Sequence, residues 1–197
     1  LFRSSSLTDV YTALGDAFMA AHPGADVTFS FAGSSDLVAQ IAEGAPADVL
    51  ATADMKNMQA AIDGLVAGGG VAPTPTVFAT NQMQIVVGAG NPEGITGLAD
   101  LAGTDLLVVL CAADVPCGTY AATVLEQAGV ALVPVSLEQN VKGVLSKVTL
   151  GEADAGIVYR TDVIAAGDAV TGVDIPADVN VTAEYPVAAL TDNDVAD

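Results

Sequence analysis

One order of events recurs along this chain and constrains its fold more than anything else. An apolar run is followed by a short turn of small residues, then by a helix that ends at a glycine. The clearest copy spans residues 106–129. Leu106-Leu107-Val108-Val109-Leu110 reads as a buried strand, Cys111 to Gly118 as a Pro/Gly-bearing turn, and 119–129 as a helix stopped at Gly129. A second copy opens the chain. Leu1-Phe2-Arg3 ends a strand, Ser4-Ser5-Ser6 makes the turn, and a helix over 7–21 carries Leu7, Val10, Leu14, Ala17 and Phe18 on one face before His22-Pro23-Gly24. The third copy runs from the alternating strand 27–31 through Ala32-Gly33-Ser34-Ser35 into a helix that stops at Gly44.

Strands alternating with helices predict an α/β fold with parallel strands. Each turn leaves the first backbone N–H groups of its helix without intrahelical partners. Together with the positive end of the helix dipole, those donors form a cradle for an anion. A serine before a helix is by itself a favoured N-cap. Two serine turns after parallel strands of one sheet open on the same edge, the carboxyl end, where open α/β sheets bind ligands.

The remaining segments follow the same grammar. Residues 45–52 read as a strand and 54–67 as a helix stopped by Gly68-Gly69-Gly70. Pro73 and Pro75 mark a change of composition, after which 77–80 and 83–87 are strand-like and lead into a second lobe. A turn at 91–94, a helical turn at 98–101 and a strand at 133–137 come next. A helix over 140–148 has Asn140 as its N-cap, followed by a strand at 156–159 and a helical turn through Ala166. A long strand over 179–190 returns to the first lobe, and 192–197 is an acidic end. The lobes are expected at 1–78, joined by 187–197, and at 79–186.

With 52% hydrophobic residues the chain has ample core, yet no apolar stretch approaches the ~20 residues that span a bilayer. It begins inside a strand with neither an initiator Met nor a signal peptide, as expected of a mature or trimmed form. Twenty-four acidic residues against five Lys and Arg give a net charge of −19. That excludes nucleic acid and anionic membrane surfaces as partners. It does not exclude a small anion, which neutral N–H and O–H donors can hold in a dry site. A single histidine, His22, and two cysteines, Cys111 and Cys117, exclude a structural zinc site. The two cysteines flank one tight turn, close enough for a short-loop disulfide; free buried thiols are the alternative. A serine or cysteine hydrolase needs a base beside its nucleophile. His22 lies at a helix end, no GxSxG elbow is present, and only Lys142 or Lys147 remains as a partner for a serine.

Taken together, Ser4-Ser5-Ser6-Leu7-Thr8, Phe31-Ala32-Gly33-Ser34-Ser35, Gly44-Ala45-Pro46-Ala47-Asp48, Val115-Pro116-Cys117-Gly118, Asn140-Val141-Lys142-Gly143, Gly156-Ile157-Val158-Tyr159 and Glu184-Tyr185-Pro186-Val187 resemble, in order and spacing, the substrate-binding proteins of molybdate ABC transporters. The resemblance spans nearly the whole chain. It implies a two-lobed, type II periplasmic-binding-protein fold, with mixed sheets flanked by helices and the ligand in the interlobe cleft. It also implies molybdate or tungstate as ligand, no cofactor, no direct protein–metal coordination, no catalysis and a monomer. Such a monomer would deliver its anion to a membrane permease from the periplasm or from a lipid anchor on the cell surface. Carried over position by position, the expected donors are the hydroxyls of Ser6, Ser34 and Tyr159 and the backbone N–H groups of Cys117 and Val141. A fully deprotonated oxyanion offers only acceptors, and these five groups are all donors. Sulfate, thiosulfate and phosphate are the alternative ligands, and a regulatory domain of the same fold is an alternative role.

Overall fold

The structure, a computed structural model, describes residues 1–69, 72–103 and 105–190. The acidic end expected at 192–197 and the last residue of the Gly68-Gly69-Gly70 stop lie outside the described residues. The chain divides into two compact units, Leu1–Ala79 with Glu184–Asp197, and Thr80–Ala183.

In the first unit, β1 (Phe2–Ser4) leads through a 3-10 turn at Ser5–Leu7 into α1 (Thr8–Ala21). β2 (Ser30–Ala32) leads into α2 (Ser34–Ala42), and β3 (Val49–Ala51) into α3 (Met55–Ala67). β1 pairs in parallel with both β2 and β3. Phe2, Leu37, Leu50, Met58, Ala61 and Ile62 form the core where α2 and α3 cover one sheet face. Side chains alternate across a strand, so Arg3, the neighbour of Phe2, faces the other side. There its guanidinium lies 4.5 Å over the Tyr11 ring of α1 and donates to the Phe2 and Val49 carbonyls at 3.1 and 3.3 Å.

The buried line of α1 is not the stripe expected from periodicity. Val10, Leu14 and Phe18 are about half exposed, and of that stripe only Leu7 is buried. The helix packs instead through Leu7, Tyr11, Gly15 and Met19, one residue further round. Gly15 sets this choice, because a Cβ there would overlap the Phe29 ring. Tyr11 meets Phe29 and Phe78 edge-on at 6.2 and 5.9 Å.

β4 (Thr76–Gly88) carries the chain into the second unit as one 13-residue strand, where two pieces were expected. The polar pair Asn81-Gln82 does not break it. Within the second unit β5 (Val108–Cys111) leads to α4 (Pro116–Gln127), β6 (Ser136–Glu138) to α5 (Val141–Thr149), and β7 (Ala155–Tyr159) to α6 (Arg160–Ala166). β5 is parallel to β6 and to β7, whereas β4 is antiparallel to β7 and to β8 (Val170–Asp174). β8 was not expected, since glycine and polar residues interrupt its apolar pattern. α5 sits close on β7 because Gly156 lacks a side chain: a Cβ there would run into the Val144 side chain of α5 at 2.5 Å. β9 (Thr182–Ala189) then returns the chain to the first unit, antiparallel to β3.

Candidate functional site

Within each unit the expected donors fall on one kind of place, the carboxyl end of a parallel strand. In the first unit Ser4 of β1 lies opposite Ala32 of β2, so both chains leave the sheet on the same edge. Ser6 follows in the 3-10 turn, and Ser34 is the first residue of α2, completely buried. The Ala53 N–H, from the loop after β3, donates to Ser34 Oγ at 3.1 Å. The Tyr185 hydroxyl donates to Ser6 Oγ at 3.2 Å, and Ser4 Oγ lies 3.4 Å from the same oxygen. A serine hydroxyl has one hydrogen and two lone pairs. In both serines a lone pair is engaged by a protein donor, which leaves the hydrogen to point at an acceptor. The nearby Asp54 carboxylate is occupied as the N-cap of α3, taking the Asn57 N–H at 2.8 Å and its side-chain amide at 2.9 and 3.1 Å. Asp36, in the first turn of α2, is exposed.

In the second unit the turn after β5 delivers Val115 as N-cap, Pro116 at the first helical position and Cys117 at the second. Cys117 is bonded to Cys111, the last residue of β5, with Cα atoms 5.7 Å apart. The bridge expected as one of two alternatives is thus the one formed, and it ties the start of α4 to the strand end. Gly118 completes this tight join, since a Cβ there would overlap the Ala112 carbonyl. At the start of α5 the Asn140 side chain accepts from Gly143 N at 3.1 Å, as an N-cap does. The amides of Cys117 and Val141 both lie in first turns, where no intrahelical acceptor exists. Tyr159, 1% exposed, ends β7 edge-on to Tyr120 at 6.4 Å. Its backbone N–H donates to Asp162 Oδ2 at 3.2 Å.

All five groups are uncharged, and the cations of the surroundings have other engagements. Burial holds the Arg3 pKa below its ordinary value. Lys142 pairs with Asp162 at 3.6 Å. Lys147 pairs with Glu138 at 2.6 Å and donates to Ser136 Oγ at 2.9 Å. The hydrogen bond from Lys147, helped by one from Ser136, holds Glu138 below the usual carboxylate range. Ser136 therefore hands its hydrogen to Glu138 Oε1 at 2.8 Å, and this serine–lysine pair is an ion-pair network. His22 is exposed at the end of α1, with Nδ1 3.0 Å from the Phe18 carbonyl oxygen and its ring stacked on Phe18. Among the described residues no group of three His, Cys, Asp or Glu is arranged to hold a metal, and no helix is long and apolar enough to cross a membrane.

The profile of the bacterial extracellular solute-binding proteins matches residues 1–197. The chain belongs to that family. Within it the chain is of ModA type: it is 43% identical over 190 residues to the molybdate-binding protein ModA of Mycobacterium tuberculosis H37Rv, covering 96% of this chain and 71% of the relative. The ModA protein of Escherichia coli K12 is 32% identical over 198 residues, covering 96% and 76%. Among solved structures, the periplasmic molybdate-binding protein of Azotobacter vinelandii superposes with a TM-score of 0.77 at 20% identity, covering 98% of this chain and 86% of that one. The sulfate-binding protein SubI of Mycobacterium tuberculosis gives 0.78 at 18%, covering 95% and 74%. These two likenesses show the fold, a type II binding-protein architecture, and not a ligand.

Sequence reasoning named candidate donors but missed what orients the two serines. Ala53 and Tyr185 set the two serines, and neither was singled out. Tyr185 stood in plain view within Glu184-Tyr185-Pro186-Val187, but its contact with Ser6 spans 179 positions.

Proposed function

We propose that this ModA-type chain captures molybdate or tungstate outside the cytoplasm and delivers it to a membrane ABC permease. The donors are the hydroxyls of Ser6, Ser34 and Tyr159 and the N–H groups of Cys117 and Val141. The observation that carries the reading is the state of the two serines, whose oxygens already accept from Tyr185 and Ala53. Their hydrogens suit a ligand that only accepts. Each charge-assisted hydrogen bond contributes about 1.5–3 kcal/mol, so a handful of neutral donors holds a dianion without a counter-cation. The protein is a binder, not an enzyme, and needs no cofactor; it works as a monomer, free or lipid-tethered.

Titration calorimetry with molybdate, tungstate, sulfate and phosphate in parallel tests this. Tight binding of the first two and little heat from the others is expected. Phosphate carries a proton near neutral pH and is better served by a carboxylate acceptor, which none of the five groups is. Preferential binding of phosphate or sulfate would overturn the assignment.

A further inference from the structure

Ser6 is surrounded by hydroxyls, and their arrangement gives Tyr185 a specific task. The Tyr185 ring is 2% exposed. It is fixed by the antiparallel pairing of β9 with β3, where Val187 lies opposite Ala51, by the bond from Thr52 N to the Pro186 carbonyl at 3.1 Å, and by edge-on packing on Phe78 at 6.5 Å. A tyrosine hydroxyl held this way has little freedom, so its 3.2 Å donation to Ser6 Oγ is a fixed feature of the unit. With that lone pair taken, the Ser6 hydrogen is steered away from Tyr185. Ser4, at 3.4 Å, can fill the second lone pair when Ser6 turns its hydrogen to a ligand. Donation into Ser6 also polarises its O–H and strengthens it as a donor, as hydrogen bonds in a chain reinforce one another.

We infer that Tyr185 is a positioning residue for anion capture: it orients and polarises the Ser6 hydroxyl without being one of the five ligand donors. The inference rests on the function proposed above. It also accounts for a buried tyrosine at this place, because phenylalanine would pack on Phe78 equally well and leave Ser6 free to rotate.

The test is a double-mutant cycle on the whole chain, read by calorimetry with molybdate. Tyr185→Phe keeps the ring and removes only the hydroxyl. It should raise Kd about five- to twentyfold while the melting temperature of the unliganded protein changes little. In a Ser6→Ala background the same substitution should have no further effect on Kd, whereas in a Ser34→Ala background its effect should persist in full. A merely structural tyrosine would weaken binding equally in all three backgrounds, and that result overturns the proposal. If Ser6→Ala weakens binding and Tyr185→Phe does not, the inference fails while the ligand assignment stands. If Ser6→Ala leaves Kd unchanged, Ser6 is not a donor, and its place in the proposed donor set falls together with the inference.

Discussion

The two units offer hydrogens by different chemistry. In the first unit the candidate donors are side-chain hydroxyls, Ser6 and Ser34, each aimed by a hydrogen bond from a distant residue. In the second unit two of three are backbone amides, aimed by the covalent path of the chain: a proline and a disulfide at Cys117, an asparagine cap at Val141. A hydroxyl can be deleted by one substitution but rotates unless something holds it. An amide cannot be deleted by changing its own side chain, and moves only with its helix. The first unit should therefore be sensitive to loss of single oxygens, and the second to changes that shift a helix start.

The largest effect is expected from Gly118→Ala. The new Cβ would overlap the Ala112 carbonyl, backbone against backbone, so α4 must move off the end of β5 and carry the Cys117 amide with it. Overpacking of this kind costs about 1–3 kcal/mol of stability or more. Molybdate affinity should fall at least a hundredfold, checked by calorimetry beside a thermal melt. Ser34→Ala comes next. It removes a donor and strands the buried Ala53 N–H, so binding and stability should each weaken by about 1–3 kcal/mol. Equal loss from Ser34→Thr, which keeps a hydroxyl, would point to crowding and not to the hydrogen.

Replacing both cysteines by serine sharpens the contrast further. The Cys117 amide survives, so Kd should rise only a few-fold, while the melt should reveal a stability loss of about 2 kcal/mol, the low end for a bridge closing so short a loop. The smallest effect belongs to Lys147→Met, which frees Glu138. The folded pKa of Glu138 lies below its unfolded value, so its contribution is present above pH ~4.3 and is lost as pH falls through the folded pKa. The substitution should cost about 1 kcal/mol or less near neutrality and progressively less as the pH falls through that folded pKa, as urea melts over a descending pH series would show. Molybdate affinity at pH 7 should be unaltered, because the pair supplies no donor.

How much of this was legible in the sequence follows from the range of the interactions. The strand–turn–helix copies are local, and the structure has β1, β2 and β5 with their helices in the order expected, though β2 and β5 are shorter. Residues 27–29 and 133–135, β-rich as they are, stay outside β2 and β6, and Val133 is 93% exposed. Strand ends are fixed by pairing partners, which composition does not report. The apolar stripe of α1 suggested the wrong buried line: Gly15 against Phe29 turns the helix so that Tyr11 faces inward and Val10, Leu14 and Phe18 face out. β8 escaped because Thr171, Gly172 and Asp174 interrupt its apolar pattern; its pairing with β4 makes it a strand. At the site, the expected donors mark the ends of parallel strands and could be placed from the turns alone. The residues that aim them, Ala53 and Tyr185, are defined by tertiary contact and could not.

The contrast between hydroxyl and amide donors is tested most directly by following the backbone 1H–15N resonances of a labelled sample during titration with molybdate. The account predicts that the amides of Cys117 and Val141 shift downfield more than any others in the second unit, saturating together at one equivalent. Binding at one equivalent with both of those amides unmoved would contradict it.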